Sequence, residues 1–220
     1  EPHGGAPLPK PGIAAIDVSA FQEPGTRPSC PLPYELTVNA EANGFELALP
    51  LAARADVPGT TRQGVGAPFN AYSYGQEMLC RAYAVRAGDT LRDTMPISPA
   101  YRVRVDGPNG FMREFVGEAP SGVTVAVDRA LGRGSRKALE VRLANQSASA
   151  SHVTIKDESY GAPEKHVELR GRSRSSVVVD VSAAYGWYDF TVSAARMAYR
   201  YAGRLESGDW SVTDPAMGRS

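Results

Sequence analysis

Cysteine and histidine are both scarce in this chain of 220 residues, which has two cysteines and three histidines. Cys30 and Cys80 stand far apart in the sequence, and the histidines are scattered. Because a protein metal site needs several such ligands close together, we predict no metal centre and no cofactor. The two cysteines leave two alternatives open: a pair of buried or indifferent thiols, or one disulfide between Cys30 and Cys80 formed in an oxidising compartment.

Net charge and long apolar runs are also lacking. The 24 basic and 24 acidic side chains cancel, so the positive surplus that nucleic-acid binding requires is missing. No stretch approaches the roughly 20 apolar residues of a membrane-spanning helix. The apolar content of 42% argues against disorder. No export leader is visible, and because the chain begins with Glu1 we expect a piece of a longer or processed protein.

Familiar catalytic patterns are missing as well. The sequence has no Gly-x-Ser-x-Gly nucleophile elbow and no Gly-rich loop ending in Lys-Ser/Thr. Its acidic pairs, such as Asp157 with Glu158 and Asp89 with Asp93, stand among polar residues typical of solvated loops. His166 lies in a strand-like segment, where an exposed position is expected. We therefore predict no catalytic residue in this chain.

Turn-forming residues are abundant, with 22 glycines and 17 prolines. Between the turns, apolar residues recur at every second position, as in Leu47, Leu49 and Leu51 (preceded by Phe45) and in many Val-rich segments further on. That period is typical of half-buried strands. Short strands spaced about every 8–12 residues indicate an all-β fold built from β-sandwiches.

The two halves of the chain read as internal repeats. Tyr101-x-Val103-x-Val105 matches Tyr188-x-Phe190-x-Val192, and Phe111, Phe115 and Gly117 match Met197, Tyr201 and Gly203. We therefore predict two tandem β-sandwich domains at 33–118 and 119–206. A Pro/Gly-rich arm or linker precedes them at 1–32, and a tail follows at 207–220.

The chain has more aromatic residues than the cores of the two predicted sandwiches need, if each sheet turns one face to its core. In Gly186-Trp187-Tyr188-Asp189, adjacent rings must point to opposite sides of a strand, so one of them lies off the core or covers an interface. Core packing is one interpretation of the aromatic residues; a surface or interface that stacks on sugars or attracts a quaternary ammonium is the other. The candidates for the second are Tyr72, Tyr74, Tyr160, Trp187 and Trp210.

Several motifs, taken in order, carry a family likeness. They are Leu32-Pro-Tyr-Glu-Leu36, Tyr101-Arg-Val-Arg-Val-Asp-Gly-Pro-Asn-Gly-Phe111, Gly186-Trp-Tyr-Asp-Phe190, Tyr201-Ala-Gly-Arg-Leu-Glu206 and Ser211-Val-Thr-Asp-Pro-Ala-Met217. Over roughly residues 30–217 the chain resembles the C-terminal tandem repeat domains of bacterial phosphocholine-preferring phospholipases C, of the non-haemolytic and haemolytic type. The segment 54–68 departs from that pattern.

The resemblance implies a larger enzyme. An N-terminal phosphoesterase catalytic domain of the same chain would hold the nucleophile and the metal and would hydrolyse phosphatidylcholine. No catalytic residue carries over to this part. The resemblance also implies a secreted or periplasmic location.

Three functions follow as hypotheses. The first is a non-catalytic accessory region of a secreted phospholipase C that braces the catalytic domain and orients it at a lipid surface. The alternative is a stand-alone β-sandwich module that binds carbohydrate or a cell surface. The third, that this part is itself a hydrolase, has no motif to support it.

Overall fold

The structure, a computed structural model, describes residues 25–57, 61, 63–75, 77–130 and 137–217. Most of the predicted N-terminal arm, residues 1–24, lies outside this range. Within it, no helix has the length and apolar character that crossing a bilayer requires.

The described chain is built from short strands and one 3₁₀ turn at Ser182–Ala184. The first nine strands are β1 (Pro28–Ser29), β2 (Leu36–Val38), β3 (Glu41–Asn43), β4 (Glu46–Ala53), β5 (Ala67–Tyr74), β6 (Met78–Val85), β7 (Thr90–Pro96), β8 (Ala100–Asp106) and β9 (Met112–Glu118). The remaining strands are β10 (Val123–Arg129), β11 (Ala138–Asn145), β12 (Ser151–Asp157), β13 (Lys165–Leu169), β14 (Arg174–Asp180), β15 (Trp187–Ala194), β16 (Met197–Arg204) and β17 (Ser211–Val212).

Strands β2 to β9 form an N-terminal sandwich. In its smaller sheet β4 is central, with β2 and β3 along one side and β7 along the other. The facing sheet runs β9-β8-β5-β6. Leu47, Leu49 and Leu51 on β4 are fully buried, as their period predicts, whereas Phe45 lies in the turn before β4 and is 73% exposed. The segment 54–68 leads into β5 and adds one isolated bridge, between Asp56 and Gln63.

Strands β10 to β16 form a C-terminal sandwich with the same plan. A three-stranded sheet, β10-β11-β14, faces the strands β13-β12-β15-β16. Val123, Val125 and Val127 point inward and are at most 4% exposed. The predicted all-β fold with two tandem sandwiches is confirmed.

The two sandwiches share one sheet, a feature that the sequence pattern did not predict. Strand β16 pairs antiparallel with β9, giving the continuous order β13-β12-β15-β16-β9-β8-β5-β6. The last strand of each half is therefore the one that joins it to the other half. Glu114 lies opposite Arg200, and the matched motifs place these two residues at equivalent positions. The junction thus has approximate two-fold symmetry, with Glu114 and Arg200 at its centre.

Candidate functional site: a buried polar junction

Two tyrosines cross the junction in equivalent ways. The hydroxyl of Tyr101 on β8 shares a hydrogen bond of 2.6 Å with that of Tyr199 on β16. Tyr188, which matches Tyr101 in the second half, accepts a hydrogen bond of 2.9 Å from Nη2 of Arg113 on β9. Because each tyrosine reaches a residue of the other sandwich, the pair ties the two halves together from both sides.

Glycines make room for both tyrosines. Gly117 lies opposite Tyr101 in the β8–β9 pair, and Gly203 lies opposite Tyr188 in the β15–β16 pair. A Cβ atom on Gly117 would come within 2.8 Å of the Tyr101 hydroxyl, and one on Gly203 within 2.9 Å of the Tyr188 hydroxyl. These distances are shorter than a carbon–oxygen van der Waals contact. A side chain at position 117 or 203 would therefore clash with the tyrosine, which explains the glycine at both positions.

Arg113 is a charged residue buried in this junction, only 2% exposed. Its Nη1 donates to the carbonyls of Met112 and Ala202, each at 2.8 Å. Its guanidinium carbon lies 4.0 Å from the centre of the Phe111 ring and 5.3 Å from that of Tyr201. Carbonyl dipoles and aromatic faces thus stabilise the buried cation.

A buried ion pair joins the two sandwiches at a second point. Glu35, just before β2, is 6% exposed, and Arg129, at the end of β10, is 9% exposed. Arg129 Nε donates to Glu35 Oε1 at 3.0 Å, and Nη2 donates to the other carboxylate oxygen and, at 2.7 Å, to the carbonyl of Glu206. Two parallel bonds between a guanidinium and a carboxylate fix the relative orientation of both groups.

Glu206, just after β16, completes this cluster. It is fully buried, and its Oε1 accepts a hydrogen bond of 2.7 Å from Asn109 in the β8–β9 turn. Arg204 Nη1 lies 3.5 Å from the same oxygen, while Oε2 has no hydrogen-bond partner. Burial raises the pKa of Glu206, and this outweighs the opposing effects of Arg204, Asn109, the backbone of Leu32 and Arg129.

The Gly-Pro-Asn-Gly turn fits against the C-terminal sandwich. Asn109 and Gly110 both have positive φ angles, 59° and 70°, which Asn and Gly adopt most readily. A Cβ on Gly110 would lie 3.1 Å from the ring of Trp187. The turn therefore brings the Asn109 amide to Glu206 while its glycine packs on Trp187.

The motifs that carry the family resemblance thus meet in one place. Glu35 comes from the first motif, Asn109 from the second, Trp187 from the third, and Arg204 and Glu206 from the fourth. Their shared role in the structure is to join the two sandwiches.

Two of the five candidate aromatics hold the C-terminal tail. Trp187 Nε1 donates to the carbonyl of Val212 at 3.1 Å, and the Tyr160 hydroxyl donates to Asp214 at 2.9 Å. The tail strand β17 also pairs with β1 of the arm, matching Pro28 to Val212. The structure therefore brings the described start and end of the chain together.

The other three candidates lie elsewhere. Trp210 is 73% exposed beside β17, and Tyr74 is 41% exposed, with the Arg102 guanidinium carbon 5.1 Å from its ring centre. Tyr72 is half-buried on β5. The five aromatics therefore do not form one binding surface.

Both cysteines are exposed free thiols in the structure. Cys30 follows β1, and Cys80 lies on β6. Neither thiol is buried, and a disulfide between Cys30 and Cys80 in an oxidising compartment stays a prediction.

The acidic residues considered for chemistry make local structural contacts. Asp93 accepts hydrogen bonds of 2.8 Å from both Arg81 and Tyr83, and burial together with Asp93 raises the pKa of Tyr83 to about 12. Asp157 accepts hydrogen bonds from the backbone N–H groups of Ser159 and Tyr160. In the parts of the chain described, no group of three or more His, Cys, Asp or Glu side chains is arranged to hold a metal ion.

The junction residues were missed by sequence reasoning, although a signal was available. Arg113 stands between Phe111 and Phe115 at an inward-facing position of its strand, and Arg129 continues the inward series of Val125 and Val127. A charged residue at an inward position predicts a buried, paired charge. Only the tertiary structure shows which residue pairs with it.

Taken together, the fold and its junction define a tandem pair of β-sandwiches locked into one body by a shared sheet and buried polar contacts. The sequence model described as "Bacterial phospholipase C, C-terminal domain" matches residues 28–118 and 122–204. The chain belongs to this family.

The chain is also similar to curated bacterial phospholipases C. The non-hemolytic phospholipase C of Pseudomonas aeruginosa is 32% identical over 228 residues, which cover 96% of this chain and 31% of that protein. The non-hemolytic phospholipase C of Burkholderia pseudomallei is 28% identical, covering 88% of this chain and 28% of that protein. The hemolytic phospholipase C of P. aeruginosa is 26% identical, covering 89% and 30%. The chain thus spans less than a third of the length of these relatives.

Among solved structures, the crystal structure of red sea bream transglutaminase matches 82% of this chain and 30% of that chain, at a TM-score of 0.23 and 10% sequence identity. A likeness this weak contributes nothing to the assignment.

Proposed function

We propose that this chain is the non-catalytic accessory region of a secreted bacterial phospholipase C, and that it braces a separate phosphoesterase domain of the same polypeptide. The observation that carries the proposal is the junction, in which the family's motif residues Glu35, Asn109 and Glu206 are buried and used to hold two sandwiches as one body. A body with fixed internal geometry is suited to supporting a neighbouring domain. Relatives of which the matched part covers less than a third supply the reason to expect such a neighbour.

The bracing role is tested on the longer polypeptide, expressed with and without residues 25–217. Mass action predicts that a domain docked on the folded accessory region is stabilised by it. We expect the melting temperature of the upstream part to fall when the region is removed, because the free energy of docking no longer stabilises its folded state. An unchanged melting temperature would refute bracing.

We also propose that the phosphatidylcholine chemistry belongs wholly to that upstream part. The purified 220-residue chain, assayed on a phosphorylcholine ester with and without divalent metal, should give no turnover. Metal-dependent turnover that is lost on a junction substitution such as Glu206→Gln would instead assign the chemistry to this chain.

Domain limits belong to the same proposal. We propose sandwich domains at 33–118 and 119–206, with the arm at 1–32 and the tail at 207–220. Support comes from strands β9 and β10, which end and begin at Glu118 and Val123, and from the two segments of the family match.

The carbohydrate-binding alternative has a groove to consider. An open cleft of about 960 Å³ is lined by residues 39–43 and by residues of strands β10, β11 and β14. Its aromatic residue is Tyr199, which is 2% exposed and already bonded to Tyr101. A sugar-stacking platform needs an open ring face, so the groove does not favour this alternative.

A further inference from the structure

The exposed side of strands β5 and β6 differs from the rest of the shared sheet. Strand β6 is the last strand in the sheet order, and no strand in the described part of the chain pairs with its outer backbone edge. The outward residues of the two strands face each other in register and carry no charge. They are Pro68 with Ala84, Asn70 with Ala82, Tyr72 with Cys80 and Tyr74 with Met78. We name these eight residues the β5–β6 face.

The β5–β6 face is mainly apolar and open to solvent. Met78 is 66% exposed and Tyr74 is 41% exposed, and Cys80, Ala82 and Ala84 are exposed beside them. Strand β6 is an edge strand of eight residues whose outward side is apolar and uncharged. Edge strands of this kind readily pair with another β-strand.

The opposite end of the same sheet provides an internal comparison. There the edge strand β13 has five residues, and His166 and Glu168 point outward from it beside His152 and Lys156 of β12. Short length and outward charges are the usual protection of an edge. Strands β6 and β13 hold equivalent edge positions in the two halves. Because β13 is protected and β6 is not, we infer that another molecular surface covers the edge of β6.

The middle of the sheet is charged as well. Arg102 pairs with Glu114 at 2.7 Å, and Arg200 pairs with Asp189 at 2.7 Å, on the same outer side. Charged pairs therefore interrupt the outer side of the sheet in its middle strands, whereas the paired outward positions of β5 and β6 carry no charge.

The partner of an open backbone edge must supply hydrogen bonds to the unpaired peptide groups of that edge. Lipid hydrocarbon offers no hydrogen bonds, so an unpaired edge pressed into it would leave peptide groups unsatisfied. A polypeptide strand satisfies the edge and covers the apolar side chains at the same time. Because this chain spans less than a third of its relatives, the polypeptide in question is most simply the remainder of the same protein.

We propose that the open edge of β6 and the β5–β6 face are the surface on which a segment of the upstream part of the longer phospholipase C polypeptide packs. This inference rests on the proposed bracing function and gives its location.

The exposed thiol of Cys80 reports on this surface directly. In a Cys30→Ser background, its rate of reaction with a maleimide dye is compared between the 220-residue chain and the longer polypeptide, with any upstream cysteines replaced by serine. We expect the rate to fall about tenfold or more in the longer polypeptide, because a packed strand must open before the thiol reacts. An equal rate in the two proteins would overturn the assignment.

A matched control uses the protected edge. In a variant with Cys30→Ser, Cys80→Ser and His166→Cys, the new thiol occupies a 73% exposed side-chain position on β13. Its labelling rate should be the same in the chain and in the longer polypeptide. Equal protection of both thiols would mean general enclosure and would remove the assignment to β6.

A second variant tests the energetics. Met78→Lys combined with Ala82→Lys places two charges on exposed positions, so the isolated chain should keep its own melting temperature. In the longer polypeptide the same pair should remove most of the stabilisation that the accessory region gives. Full retention of that stabilisation would contradict the proposal.

Other occupants give different results. Protection of Cys80 in the 220-residue chain that grows with protein concentration, together with a dimer in sedimentation velocity, would assign the face to a second copy. Protection of the 220-residue chain by phosphatidylcholine vesicles would assign it to lipid. If the accessory region stabilises the upstream part while Cys80 labels freely, only the location is wrong; if it gives no stabilisation, the bracing function itself fails.

Discussion

At the residue scale, the junction depends on pairs in which a glycine leaves the space that a tyrosine ring occupies. The Tyr101 ring passes over Gly117 to reach Tyr199, and the Tyr188 ring passes over Gly203 to reach Arg113. The same steric solution in both halves explains why the glycine recurs in the two matched motifs. The requirement is for space rather than for backbone freedom at Gly117, since no positive φ is found there.

Gly117→Ala should therefore destabilise the protein. Its Cβ would lie 2.8 Å from the Tyr101 hydroxyl, and overpacking of this kind costs about 1–3 kcal/mol. Denaturant unfolding measures the cost. Adding Tyr101→Phe removes the clashing oxygen, so the double variant should lose less stability than the sum of the single variants. Strict additivity would show that the close approach is not the cause.

Glu206 gives the junction a pH dependence of defined sign. Its pKa is raised in the folded protein, chiefly by burial, so between the unfolded and folded pKa values the folded state binds more protons than the unfolded state. The stabilising contribution of this group is full below the unfolded value, near about 4.3, and is lost as the pH rises through the folded pKa.

Glu206→Gln removes this titration and measures it by difference. The unfolding free energy of the wild type minus that of the variant should increase as the pH is lowered through the folded pKa and should level off below about pH 4. Urea unfolding at a series of pH values gives both quantities. A difference that decreases on acidification would mean that the buried carboxyl is stabilised as its anion.

At the element scale, inward and outward positions alternate along the smaller sheet of the C-terminal sandwich, apart from Ala138 and Leu139 at the start of β11, which are both buried. Val125 on β10 is 3% exposed, whereas Val178 on β14 is 53% exposed. The register places Val125 opposite Leu143 and Val178 opposite Glu140, so the two valines lie on opposite faces of one sheet.

Val125→Ala and Val178→Ala form a matched pair because the chemical change is the same. The first removes buried methyl groups and leaves a cavity, which should cost about 1–3 kcal/mol. The second should stay within about 0.5 kcal/mol, as expected for a surface position. Thermal or chemical unfolding distinguishes them, and a reversed order would place the opposite face of the sheet on the core.

At the scale of the whole molecule, the two sandwiches form one body and are not independent domains joined only by a linker. They share the β9–β16 pairing, the Glu35–Arg129 ion pair and a continuous cluster of buried apolar side chains. A large apolar interface keeps two domains in a fixed relative position.

Cutting the backbone between Gly117 and Gly122 should therefore leave the two pieces associated. A protease site introduced at 119–121 allows the nicked protein to be analysed by size-exclusion chromatography without denaturant. We expect a single peak at the mass of the intact chain, and Glu35→Gln should favour dissociation, because it leaves Arg129 without its carboxylate partner. Two separate, folded peaks for the unsubstituted protein would show that the shared sheet contributes little.

The sequence predicted more of the fold than of the junction. The core positions Leu47, Leu49 and Leu51 follow from apolar alternation, which is a local pattern. Phe45 fits the same alternation and is nevertheless exposed, because Gly44 turns the chain there. Local pattern fixes which side of a strand is apolar, but it does not fix where the strand starts.

The amino-acid sequence by itself determined the all-β class, the doubling of the sandwich and the family, because periodicity and ordered motifs are written along the chain. The tertiary structure alone decided that β9 pairs with β16, that Glu35 meets Arg129, and that Glu206 is buried beside Asn109. The reason is physical: each of these contacts joins residues about 80 to 100 positions apart, and a partner at that distance is chosen by the packing of whole sheets, which no local pattern records.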